Sequence, residues 1–168
     1  DKALRLDPDS WEVNKEPARM CRLNRQIPEA TRHYEKAVAA MEDDYHAWAM
    51  LLTCYDAQDD TEGVQRAAQM MVAQAEKAVA EDPSNGAALG IGAGGLAALG
   101  QVDRAKEWID RAMLVDPDNL NMRYNFACVL AAHLGDKDGA IRMLEHNFAA
   151  MGGRRQIQLA ETDPDFDS

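Results

Sequence analysis

Apolar and small residues in this chain fall repeatedly on one face of a helix. Ala30, Tyr34 and Ala37 recur at steps of three or four, as do Trp48, Leu51 and Tyr55, and Leu89, Gly92, Leu96 and Leu99. Ala105, Ile109 and Ala112 continue the pattern, followed by Phe126 and Leu130 and then Ala140 and Leu144. That period belongs to amphipathic α-helices. No stretch alternates with a period of two, so no strand is predicted. One helix, roughly Thr61 to Ala80, reads as two turns longer than the rest.

Polar punctuation separates these stretches. LDPDS (Leu6 to Ser10), EDPSN (Glu81 to Asn85) and VDPDN (Val115 to Asn119) each join an Asp-Pro pair to a capping residue. The proline stops one helix, and Ser or Asn can cap the next. Pro83 and Pro117 lie 34 residues apart, and Pro8 and Pro83 lie 75 apart, which is two such periods plus seven. Seven residues are close to two helical turns, so that insertion keeps the apolar face in phase. Each period is thus a helical hairpin with an apolar face that only a stacked neighbour can bury. Ala18, Ala93 and Ala127 sit where first helices approach closely, and Ala30, Ala105 and Ala140 do the same for second helices.

The pattern resembles the tetratricopeptide repeat (TPR), W-x2-L-G-x2-Y, then A-x3-F, then a late Pro. Trp48-x2-Leu51-Leu52-x2-Tyr55 fits its opening, except for Leu52 where a small residue is usual. Leu89, Gly92, Ala93, Leu96, Gly100, Ala105-x3-Ile109, Ala112 and Pro117 carry a full unit. A later unit has Phe126-Ala127-x2-Leu130, Leu134-Gly135 and Ala140-x3-Leu144, with one residue inserted before the turn and no closing proline. The first unit departs at Pro17, which is expected to kink its first helix or delay its start to about Asn14. The resemblance implies an all-α, right-handed TPR superhelix of about four repeats. Its parts are the end of a preceding repeat (1–10), units at 11–44, 45–85, 86–119 and 120–150, and an acidic tail or short capping helix at 151–168.

One motif points elsewhere. Gly90-Ile91-Gly92-Ala93-Gly94-Gly95 matches G-x-G-x-x-G, the turn that cradles a dinucleotide pyrophosphate. That turn needs a strand before it, and here EDPSN precedes it with no β-branched run. The repeat places the glycines inside a helix. Close helix packing accounts for Gly92, whereas Gly90 and Gly94 are expected to leave a smooth floor facing a groove. A nucleotide-binding enzyme is therefore the third reading, and no cofactor is expected.

Composition narrows the partners. The chain has 168 residues, a net charge of −11 and an apolar fraction of 46%. So acidic a chain is a poor match for nucleic acid or an anionic membrane. Cys21, Cys54 and Cys128 are odd in number and form no C-x-x-C, which suits reduced thiols and a cytoplasmic setting. His33, His46, His133 and His146 form no metal-ligand spacing, and no nucleophile elbow, P-loop or kinase signature occurs, so neither a metal nor catalysis is expected.

The resemblance implies a concave groove lined by first helices. Its expected contact residues are Lys15, Arg19 and Arg22, then His46 and Thr53, then Gly90 and Gly94, then Tyr124, Asn125 and Cys128. Lys15, Arg19 and Arg22 would form a basic strip suited to an acidic or C-terminal peptide segment. The last third also resembles the TPR tail of bacterial signalling proteins that carry a class III adenylate/guanylate cyclase domain, through Tyr124 to Cys128, Leu134 to Lys137 and Thr162 to Asp167. The expected function is a protein–protein interaction scaffold that binds a peptide or helix, a regulatory or assembly region of a larger protein. The alternative is a homo-oligomerisation module.

Overall fold

A computed structural model describes residues 11–150. The expectations for 1–10 and 151–168, including the LDPDS turn and the Thr162 to Asp167 segment, lie outside the described residues. Those residues form eight α-helices and no strand: α1 (Trp11–Leu23), α2 (Ile27–Ala40), α3 (Tyr45–Asp56), α4 (Thr61–Glu81), α5 (Gly86–Ala98), α6 (Val102–Val115), α7 (Leu120–Cys128) and α8 (Lys137–Ala150). They divide into two compact units, α1–α4 and α5–α8, with the boundary between Glu81 and Asp82.

Local signals account for most helix starts. Asp44 Oδ1 accepts from the backbone N–H groups of His46 and Ala47 and so caps α3. Asn85 and Asn119 cap α5 and α7 by accepting from Ala88 N and Met122 N. Asp60 and Asp136 accept from Gly63 N and Gly139 N at the starts of α4 and α8. Each satisfies an N–H that the helix itself cannot. Pro28 occupies the first turn of α2, where a missing N–H removes nothing. Pro17 is the exception. α1 runs from Trp11 to Leu23 straight through it, so the expected late start does not occur. The ring removes a single helical donor, and the burial of Ala18 on the same helix offsets part of that loss.

In the first unit, α1 packs on α2 and α3 on α4, with α2 also against α3. Ala18, Ala30, Ala37, Ala47, Ala67 and Ala68 are fully buried, which lets the backbones approach closely, and Tyr34, Leu51 and Cys54 fill the space between. In the second unit, α5 packs on α6 and α7 on α8, while α5 also meets α7. Leu89, Ala93, Leu96, Phe126 and Ala127 are its buried centre. The GIGAGG motif lies wholly within α5, with no strand before it. A dinucleotide turn is thereby excluded.

All four hairpin turns share one geometry. Each contains one residue with left-handed φ: Arg25 (58°), Asp59 (57°), Gly100 (70°) and Gly135 (62°). In the first three, an N–H reaches back five residues to close the helix, Gln26 N to Cys21 O (2.8 Å), Asp60 N to Tyr55 O (3.0 Å) and Gln101 N to Leu96 O (2.9 Å). This is the Schellman closure. In the fourth, the same bond runs from Asp136 N to Leu130 O at 2.8 Å and spans one residue more. The extra residue is absorbed just upstream, where Val129–His133 widens into a π-turn and Leu134 N bonds Val129 O at 3.2 Å. The inserted residue seen in the sequence is therefore stored as a bulge inside the helix, and the turn keeps its form.

Candidate functional site

The expected contact residues fall into two sets, one in each unit. In the first unit, α1 carries Lys15, Arg19 and Arg22, and α3 carries His46 and Thr53. Two of the three cations are paired with carboxylates. Lys15 Nζ sits 3.0 Å from Asp44 Oδ2, the same carboxylate that caps α3. It braces the start of α3 against α1. Arg19 pairs with Glu16 one turn earlier on its own helix, with both N–H contacts near 3 Å (3.2 and 3.0 Å). That pair is solvent-exposed and contributes little to stability.

Arg22 differs. It is half-buried, and its Nε is enclosed with no hydrogen-bond partner. Its guanidinium lies beside the buried Tyr34 and Cys54. Burial pushes the pKa of the Tyr34 hydroxyl and of the Cys54 thiol up, and the Arg22 charge opposes that rise at both, at Tyr34 with a side-chain hydrogen bond as well. Thr31 and Gln58 complete a polar seam next to them. Gln58 Nε2 donates to Thr31 Oγ1 (2.7 Å) and to the Cys54 carbonyl (2.8 Å), and Thr31 Oγ1 donates to Ile27 O. Tyr34 and Cys54 were not legible as neighbours of Arg22, because they lie on two other helices.

On α3, His46 is exposed and its ring stacks on Tyr45, with centroids 4.6 Å apart. Thr53 is exposed and returns its hydroxyl to Met50 O at 2.8 Å. Both leave their outer faces open to a ligand.

In the second unit, Asn125 is exposed, and Tyr124 and Cys128 are half-buried along α7. Gly94 is half-buried on α5. Gly90 needs correction. It does not open onto a smooth floor: a Cβ there would lie 3.4 Å from Phe126 Cζ and 3.6 Å from Met122 Sδ. The bare backbone at this position packs against α7. Among the described residues, no group of three or more His, Cys, Asp or Glu is placed to hold a metal ion. No helix among them is long and apolar enough to cross a membrane.

Eight helices in antiparallel hairpins, closed by one recurring turn and stacked through alanines, define a TPR-type helical-repeat fold. Among solved structures, the chain is similar to MamA, with 15% identity and a TM-score of 0.54 over 95% of this chain and 86% of that one. It is also similar to a putative kinesin light chain of Podosopora anserina with nearly identical TPR-like repeats, with 21% identity and a TM-score of 0.55 over 92% of this chain and 79% of that one. No family model and no curated protein matches the chain. At these identities the likeness is one of fold.

Proposed function

We propose that the chain is a protein–protein interaction module that receives an acidic or C-terminal peptide segment on the first-helix face of its first unit. The observation that carries this reading is Arg22. Lys15 and Arg19 have carboxylate partners within the chain, whereas the half-buried Arg22 has a hydrogen bond to the Tyr34 hydroxyl and, among the described residues, no carboxylate. A half-buried guanidinium without a carboxylate partner suits one supplied by a ligand at its outer N–H groups. His46 and Thr53 offer further polar contacts on α3. In the second unit, Tyr124, Asn125 and Cys128 offer a separate face for a peptide or helix. The fold, which other proteins build from repeats of this type, supports a scaffold role without catalysis. The regulatory or assembly role in a larger signalling protein, suggested by the resemblance of the last third to cyclase tails, belongs to the same proposal.

A second reading, self-association, is favoured by one feature. Leu114 is 84% exposed near the end of α6, beside the partly exposed Val115. An aliphatic side chain so placed in an acidic chain suits contact with another surface.

One experiment separates the two readings. A quantitative pull-down from cell lysate compares the native chain with Arg22→Ala and Arg19→Ala. A protein enriched by the native chain and by Arg19→Ala, but lost with Arg22→Ala, supports the carboxylate receptor. The same protein on all three baits sinks it. Recovery of nothing but the chain itself hands the function to self-association.

A further inference from the structure

We propose a second interaction surface on the first unit, opposite in charge to the α1 face: the cleft between α2 and α4, floored by α3, docks a basic segment in which Lys or Arg lies beside aliphatic side chains. The cleft is an open trough of about 460 Å³. It forms because α2 and α4 each pack on α3, leaving one face of α3 between them. Trp48 and Leu51 make an apolar floor, and Met70 stands on the α4 wall. The indole of Trp48 is fixed by donating Nε1–H to the Glu42 carbonyl at 2.8 Å.

The charges on the walls are unequal in freedom. Arg66 on α4 is exposed but already has a partner: its guanidinium donates to the Tyr55 hydroxyl at 3.1 Å and lies 5.4 Å from the centre of that ring. Tyr55 in turn donates to Glu35 Oε1 at 2.8 Å. Glu42 lies in the turn just beyond the end of α2 and lines the same cleft as Glu35. It is exposed, and among the described residues its carboxylate has no ion-pair partner. The cleft thus presents two carboxylates against one guanidinium that already has a partner, above an apolar floor.

A Lys or Arg side chain meets both demands at once, because its methylene stem lies along apolar surface while its charged head reaches a carboxylate. An aliphatic neighbour on the same segment covers the rest of the floor. The net charge of −11 speeds the approach of such a segment and slows an acidic one.

The test is fluorescence anisotropy of a short fluorescein-labelled peptide built of Lys and Leu, titrated with the full chain. Glu42→Lys and Glu107→Lys make the same change in net charge, but Glu107 lies on α6, outside the cleft. The expected result is about tenfold weaker binding for Glu42→Lys, a partial loss for Glu42→Gln, and less than about twofold for Glu107→Lys, as an engaged charge demands and a diffuse field does not. Circular dichroism confirms that each variant is folded. Equal losses in the two reversals, no binding by the native chain, or equal binding of a Glu/Leu peptide overturns the proposal. Sedimentation showing self-association that Glu42→Lys abolishes also overturns it, because a second copy is then the occupant.

Discussion

The two units build the same pair of hairpins from different materials. At the left-handed position of each turn, the first unit places Arg25 and Asp59 and the second places Gly100 and Gly135. Inside the helices the preference is reversed in its consequences. Gly63 of the first unit leaves no space for a Cβ, whereas at Gly90 of the second a Cβ would meet its neighbours at ordinary contact distance. The first unit also buries polar groups, Asn14, Thr31 and Gln74, where the second packs Leu89, Leu96 and Phe126. The difference teaches that hairpin packing and the closing N–H bond set the turn. The residue at the bend decides only how costly that conformation is.

The largest expected effect tests the contact at Gly63. A Cβ there would fall 2.5 Å from Asp60 Oδ2 and 2.6 and 2.7 Å from Tyr55 Cγ and Cδ1. The carboxylate can move, but the Tyr55 ring is buried and its hydroxyl is tied to Glu35 and Arg66. Gly63→Ala is expected to cost about 3 kcal/mol, the upper range for an overpacked site, read from chemical denaturation. A variant as stable as the native chain would show that α3 and α4 are free to separate, and the contrast with Gly90 would fail.

A swap at the turns comes next. A left-handed conformation costs a non-glycine residue about 1–2 kcal/mol, offset in part by the greater freedom glycine has when unfolded. Arg25 and Asp59 are exposed, so removing their side chains sacrifices no packing. Arg25→Gly is expected to stabilise by about 1 kcal/mol, and Asp59→Gly by less, since Asp tolerates this region better. Gly100→Ala and Gly135→Ala should each destabilise by about 1 kcal/mol or slightly more. Thermal unfolding of the four variants reads the signs directly. If all four moved in one direction, the shared turn would not be the source of the difference.

Much of this was legible before the fold was known. The 34-residue spacing of Pro83 and Pro117 located the turns, and Asn85 and Asn119 cap the helices after them. The long second helix read as Thr61 to Ala80 runs Thr61–Glu81. The extra residue near Leu130 was visible, but its storage as a π-turn was not, because a bulge and a longer loop give the same spacing. Arg25 carries no sign of a left-handed bend, since that conformation is imposed by the packed hairpin. The candidate site was legible in its list of cations and not in their pairing. Lys15 meets Asp44 across 29 residues, and Glu35 joins Arg66 through Tyr55 on a third helix. Contacts between helices depend on how the hairpins stack, and helical periodicity on one strip of sequence does not encode that.

The smallest effect is the most informative about the glycine-rich helix. α5 holds Gly90, Gly92, Gly94 and Gly95 in its middle, each with about 1 kcal/mol less helix propensity than Ala. At Gly90 an added methyl would sit 3.4 Å from Phe126 Cζ and 3.6 Å from Met122 Sδ, both ordinary contact distances. Gly90→Ala should therefore recover most of the propensity and add a little packing, a gain of about 0.5–1 kcal/mol, seen as a higher denaturation midpoint with unchanged slope. Such a gain would mean that folding does not require glycine at this position, and that the residue is free to serve something other than stability. A loss would mean that α5 and α7 approach more closely than a methyl allows, which would put Gly90 beside Gly63 as a packing glycine and remove that contrast between the units.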